Sequence, residues 1–191
     1  MSADFSVAAY LAAHGRLAPQ LDGPAFQAGI DCVRAAFDAG RQVITCGNGG
    51  SAYAASHYIT DWNKMVNLAT GRKFHGISLC DNIGMVTAFA NDVSFEDVFA
   101  GQLKAILESD DLVIAISGSG NSPNVVKAVE YANTIGASTL AVVGYDGGRL
   151  KHIARHVVWV PSFDMQLCED VHLMFGHMVM KALCGVGIKD E

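Results

Sequence analysis

The sequence predicts an α/β protein of three layers: a five-stranded parallel sheet flanked by helices, with a helical extension ahead of it. Three observations carry this reading. Short apolar runs alternate along the chain with segments of helical periodicity, as in strands joined by crossover helices. The runs are near-continuous rather than alternating, as expected of strands buried on both faces. Two of them, at residues 43–46 and 112–116, open directly into glycine- and serine-rich loops followed by helical segments. A strand end, such a loop and a helix N-terminus together present backbone N–H groups to an anion.

The elements follow in order. Residues 4–16 carry Phe5, Ala8, Ala9, Leu11 and Ala12 in helical register. A break at 19–23 precedes Pro24, which suits a first helical turn. Residues 24–39 repeat Phe26, Ile30, Val33 and Phe37 at three- and four-residue steps, and Gly40 ends the segment. Strands are predicted near 42–46, 76–80, 112–116, 138–143 and 157–160. Helices are predicted near 51–66, 82–90, 94–107, 123–135 and 164–184, and 63–75 reads as a helix end plus loop. No linker or internal repeat interrupts the pattern, so the 191 residues read as one domain, 1–191. Its helical extension is 1–40, and the α/β core with its C-terminal helix is 41–188.

Composition narrows the function. The chain is 51% hydrophobic and only 17% charged, which suggests surface buried by self-association. A formal net charge of -6 argues against a general nucleic-acid binder. No apolar run approaches the ~20 residues of a membrane span, and the first residues lack the basic start of a signal peptide. Five cysteines with no CxxC pair fit reduced thiols and a cytoplasmic location.

Ligands on parallel sheets bind at the carboxyl ends of the strands, near the switch point. Both Gly-Ser loops belong there. Gly47-Asn48-Gly49-Gly50-Ser51-Ala52 fits G-x-G-x-x-A, but Asp81 follows Ala52 by 29 residues, where roughly 20 is usual for a dinucleotide site. In the second loop Ser117, Ser119 and Ser122 lie just before Pro123. Capping needs one serine, so three hydroxyls point to phosphate. His57 and Asp61 are four residues apart on one helical face, a spacing that serves a metal chelate, a base with its partner, or an ordinary ion pair. In the last helix Glu169, Asp170, His172 and His177 stand among apolar residues and need partners. Glu169 and His177 are eight apart, about 80° around and ~12 Å along a helix.

With these residues laid out, the chain resembles the sugar isomerase (SIS) domain family, and within it the phosphoheptose isomerases. The matches are Cys46-Gly-Asn-Gly-Gly-Ser51, Ala90-Asn-Asp92, Ile116-Ser-Gly-Ser-Gly-Asn-Ser122, Asp146-Gly-Gly148 and a histidine in the final helix. The resemblance implies a flavodoxin-like fold and an aldose-ketose isomerase converting sedoheptulose 7-phosphate to D-glycero-D-manno-heptose 7-phosphate through a cis-enediol, in heptose biosynthesis. It implies Asp61 and His177 as the acid-base pair. It implies one Zn²⁺ per site on His57, Asp61, Glu169 and His177. Asn48, Gly49, Gly50, Ser51, Asn91, Asp92, Ser117, Gly118, Ser119, Ser122 and Glu169 are the implied substrate contacts, in a homo-oligomer, commonly a tetramer. The chain departs from the family at three positions: Asp61 for Glu, Glu169 for Gln, and Gly118 for Thr. An isomerase of another sugar phosphate and a non-catalytic sugar-phosphate-binding or replication-initiator-associating regulator are the alternatives, with a nicotinamide-dependent enzyme a third. The His-Asp-Glu-His set favours an enzyme.

Overall fold

The computed structural model describes residues 5–188. Five strands, β1 (Val43–Gly47), β2 (Gly76–Ser78), β3 (Leu112–Ser117), β4 (Ser138–Val143) and β5 (His156–Trp159), form one sheet in the order β2-β1-β3-β4-β5. Every pairing is parallel. The chain leaves β1 toward one edge and returns to place β3 on its other side. The reversal therefore falls between β1 and β3, whose ends carry the two Gly-Ser loops.

Side chains of β1, β3 and β4 alternate between two apolar layers. Val43, Ile114, Ile116, Leu140 and Val142 pack against α2 (Gly23–Asp38), α3 (Gly50–Asp61) and α9 (Met165–Cys184). Ile44, Cys46, Val113, Ala115, Ala141 and Val143 meet the opposite layer, which includes α6 (Ala100–Ile106) and α7 (Pro123–Ile135). Burial on both faces explains why the strands read as unbroken apolar runs. The first helix, α1 (Val7–Leu17), buries only Leu17. Residue 4, placed in that helix by the sequence reading, lies outside the described residues.

Caps set the helix starts. Ser6 Oγ accepts from Ala9 N–H at 3.1 Å, Asp22 Oδ1 from Ala25 N–H at 3.1 Å, and Asp164 Oδ1 from the Gln166 and Leu167 N–H groups. The predicted helix 51–66 is helical throughout and continues past its expected end. After Asp61 comes a π-helical turn, Trp62–Val66, then α4 (Asn67–Thr70), stopped by Gly71 at φ 70°. The predicted helix 94–107 splits into a 3₁₀ turn, Phe95–Asp97, and α6. Ser94 Oγ donates to Asp97 Oδ2 at 2.7 Å, and this local bond favours the tighter turn. Helix α5 (Ile83–Asp92) and the short α8 (Leu150–Ile153) complete the order. The sequence reading has no helix at 150–153.

Candidate active site

The two Gly-Ser loops form one hollow. Asn48, Gly49, Gly50, Ser51, Ser117, Gly118, Ser119, Ser122 and Glu169 line it with Ile116, Met165 and Gln166, around about 330 Å³. Nine predicted substrate residues therefore converge. Asn91 and Asp92 do not. They sit exposed at the end of α5, where Asn91 Nδ2 donates to Asp92 Oδ1 at 2.8 Å, and Asp92 lines a separate hollow with Ala88, Phe89 and Val93.

The serine-rich loop is shaped from within and behind. Gly120 N–H donates to Ser117 Oγ at 3.2 Å, and Asn121 N–H to Ser119 Oγ at 3.2 Å. Ser122 is the N-cap residue of α7 but its side chain makes no capping bond. Its hydroxyl instead lies 3.4 Å from Ser117 Oγ, so capping does not account for it. Behind the loop, Gly144 N–H donates to Gly118 O and Leu150 N–H to Gly120 O, each at 3.0 Å. Arg149 N–H donates to Asn121 Oδ1 at 2.9 Å. The Asp146-Gly147-Gly148 motif thus belongs to the segment that braces the cradle.

A second hollow of about 410 Å³ shares Gly50, Ser51 and Glu169 with the first and adds His57, His172 and Asp170. It leads along α3. His57 lies seven residues past Gly50, about 10 Å along the helix. His57 Nε2 stands 3.0 Å from His177 Nε2. Asp61 Oδ2 is 3.4 Å from His57 Nε2 and 3.9 Å from His177 Nε2. Spacing on α3 brings His57 and Asp61 together; packing of α3 on α9 brings His177 to them. That packing is close because Gly176 has no side chain: a Cβ there would lie 2.2 Å from Tyr58 Cε1. Tyr58 Oη donates to the His172 carbonyl, and Trp62 Nε1 to the Gly176 carbonyl at 3.0 Å. Burial pushes the Tyr58 hydroxyl pKa far up, which keeps it a donor.

Three groups form the cluster, and Glu169 is not among them. Its position on α9, more than two turns before His177, carries it instead to the loop end of α3. A Cβ on Gly50 would lie 2.4 Å from Glu169 Oε1. Two donors on one tetrahedral zinc stand about 3.3 Å apart. The separations of 3.0, 3.4 and 3.9 Å bracket that value. Two imidazoles and a carboxylate suit a mixed N/O ion and leave a fourth position open.

Three residues around the site escape the sequence reading. Met165 and Gln166 open α9 and face the cradle. Asn124, buried in the first turn of α7, exchanges hydrogen bonds with Asn48. Only the Ser122-Pro123 helix start hints at it.

A family model described as the SIS domain matches residues 10–144. The chain belongs to the SIS domain family. The match stops at the end of β4, so Glu169 and His177 lie beyond it. The phosphoheptose isomerase of Citrifermentans bemidjiense is 35% identical over 176 residues, 91% of each chain. That of Helicobacter pylori strain P12 is 38% identical over 138 residues, 72% of this chain and 71% of the relative. The solved structure of a phosphoheptose isomerase from Neisseria gonorrhoeae superposes with a TM-score of 0.86 at 26% identity, covering 94% of this chain and 97% of that one.

Proposed function

We propose that this SIS protein is an aldose-ketose isomerase that converts sedoheptulose 7-phosphate to D-glycero-D-manno-heptose 7-phosphate. The observation that carries the reading is the meeting of His57, Asp61 and His177 beside a cradle of loop serines. The similarity to phosphoheptose isomerases over 91% of the chain supports the substrate.

The phosphate sits on Ser51, Ser117, Ser119 and Ser122, between the N-termini of α3 and α7, whose dipoles favour it. The open chain then runs past Glu169 along α3, about 10 Å to His57. In the ketose-to-aldose direction Asp61 removes a proton from C1 while His177 donates one to O2, giving a cis-enediol. Asp61 returns the proton to C2 as His177 takes the proton of O1. Asp61 turns Oδ2 toward both imidazoles, which leaves Oδ1 for the proton. Zinc, held by His57, Asp61 and His177, would polarise the carbonyl when bound. His177 Nε2 carries a proton or a metal, so the acid role is that of the metal-free site, and with zinc bound the polarised carbonyl would take its place. Asn91 and Asp92 complete the substrate set only if a second subunit or a movement of α5 brings them in.

The protein acts as a homo-oligomer, with a tetramer the preferred assembly. Phe5 ahead of α1, Val7 and Leu11 on α1, and Tyr53 on α3 are left exposed, apolar surface that a second subunit would cover. All five cysteines are free, in keeping with a cytoplasmic enzyme. No helix among the described residues is long and apolar enough to cross a membrane.

The test supplies sedoheptulose 7-phosphate and follows aldose formation by NMR. Wild type converts it, and Asp61→Asn and His177→Gln do not. Activity untouched by both substitutions rejects the assignment, and a clean monomer by light scattering rejects the shared assembly.

A further inference from the structure

Asn48 and Asn124 hold each other face to face. Asn48 Nδ2 donates to Asn124 Oδ1 at 2.8 Å, and Asn124 Nδ2 donates to Asn48 Oδ1 at 2.9 Å. Asn48 lies in the loop after β1, and Asn124 is the second residue of α7. The closed amide pair therefore spans the point where the strand order reverses. No other side-chain hydrogen bond joins residues 47–51 to residues 117–124 among the described residues. Asn124 is 2% exposed, and its Oδ1 also accepts from Val125 N–H at 3.0 Å. In a buried setting such bonds are strong when satisfied and costly when one partner is missing.

We propose that Asn124 is a positioning residue for the isomerase reaction, acting through Asn48 to set the distance between the two loops that grip the sugar phosphate. The inference rests on the reading of the loop hollow as the substrate cradle. The loops are short, and each is fastened to its own strand and helix. The cradle works only if Gly49-Gly50-Ser51 and Ser117–Ser122 face one another at fixed separation, and misplacement by ~1 Å is costly. The amide pair is the part that ties one to the other. It also changes the role given to Asn48. One donor and one acceptor of its amide are committed to Asn124, so its main service to the ligand is the placement of the loop backbone.

The competing explanation is that Asn124 only finishes the start of α7 through Val125. Asn48→Ala separates the two, because it leaves the Asn124–Val125 bond in place. Amide hydrogen exchange of the full chain should show faster exchange, by about tenfold, across residues 117–124 in Asn48→Ala. KM for sedoheptulose 7-phosphate should rise about tenfold while kcat falls less. The Asn48→Ala/Asn124→Ala double variant should be no worse than the stronger single, as expected of residues acting as one unit. Unchanged exchange across 117–124, additive losses in the double variant, or an unchanged KM in active enzyme would each overturn the proposal. Should Asn124→Ala fail to fold, Asn48→Ala decides alone, since Asn48 is only half-buried. A wild type inert toward sedoheptulose 7-phosphate counts against the isomerase reading, and exchange still decides the pair.

Discussion

His57 Nε2 lies 3.0 Å from His177 Nε2, although the two residues are 120 positions apart in the chain. Two imidazole nitrogens at this distance, with a carboxylate oxygen beside them, share a proton or a cation. Protein purified without chelator should therefore carry about one divalent ion per chain, and His57→Ala and His177→Ala should lose it. Glu169→Gln should keep it, because Glu169 lies outside the cluster. Elemental analysis of the three variants decides the matter; full retention in His177→Ala would remove the site.

Asp61 is fitted to its place. Its Oδ2 already reaches both imidazoles, and the π-helical turn begins at the next residue. Such turns often sit at functional positions. Asp61→Asn should lower kcat by about 10²–10⁴ through loss of the base. Asp61→Glu should not improve on wild type: the added methylene displaces the carboxylate by about 1 Å, a shift that can cost ~100-fold. Steady-state rates of both variants provide the check, and a faster Asp61→Glu enzyme would show that the shorter carboxylate is a compromise.

Much of the fold and part of the site were legible in the sequence, for reasons visible in single residues. Strands such as 112–117 are buried on both faces, and that burial writes an unbroken apolar run. His57 and Asp61 share one helix, so their spacing shows a pair. His177 joins them because Gly176 admits Tyr58, a contact between distant segments. The Asn48–Asn124 pair depends on β3 lying beside β1, which is strand order rather than local pattern. Helix α8 has four residues and one buried side chain, too little for a periodic signal. The resemblance puts Glu169 among the ligands, while its height on α9 takes it to Gly50.

The same reasoning applies to Gly176 as a test. Gly176→Ala drives a methyl into the Tyr58 ring and must part α3 from α9. Overpacking of this kind costs about 1–3 kcal/mol. The variant should unfold at lower denaturant concentration and also lose metal, since separation of the helices separates His57 from His177. Normal metal content in a destabilised Gly176→Ala protein would mean that the cluster does not depend on this contact.

Gly118, where the resemblance implies threonine, packs beside Met165. A Cβ at Gly118 would lie 2.9 Å from Met165 Sδ, so the methionine at the start of α9 occupies the space a larger side chain needs. Gly118→Thr alone should raise KM several-fold by pushing Met165 into the cradle. Gly118→Thr combined with Met165→Ala should recover most of the loss, a coupling expected of residues in contact. Equal KM values for the single and double variants would break the link.

His172 makes the protein acid-sensitive. The side chain is 1% exposed, and among the described residues neither ring nitrogen has a hydrogen-bond partner. Burial pushes its pKa down from 6.5 to about 4, with the nearby Val143 backbone offsetting part of the effect. The unfolded chain therefore binds a proton that the folded chain refuses across this range. Stability is full above pH 6.5 and is lost as pH falls toward 4, by up to about 3 kcal/mol. Replacing His172 by phenylalanine keeps a ring and removes the proton site. Urea midpoints measured from pH 7.5 down to pH 4.5 should fall more steeply for wild type than for His172→Phe. Parallel curves would mean that the buried imidazole finds a partner for its charged form.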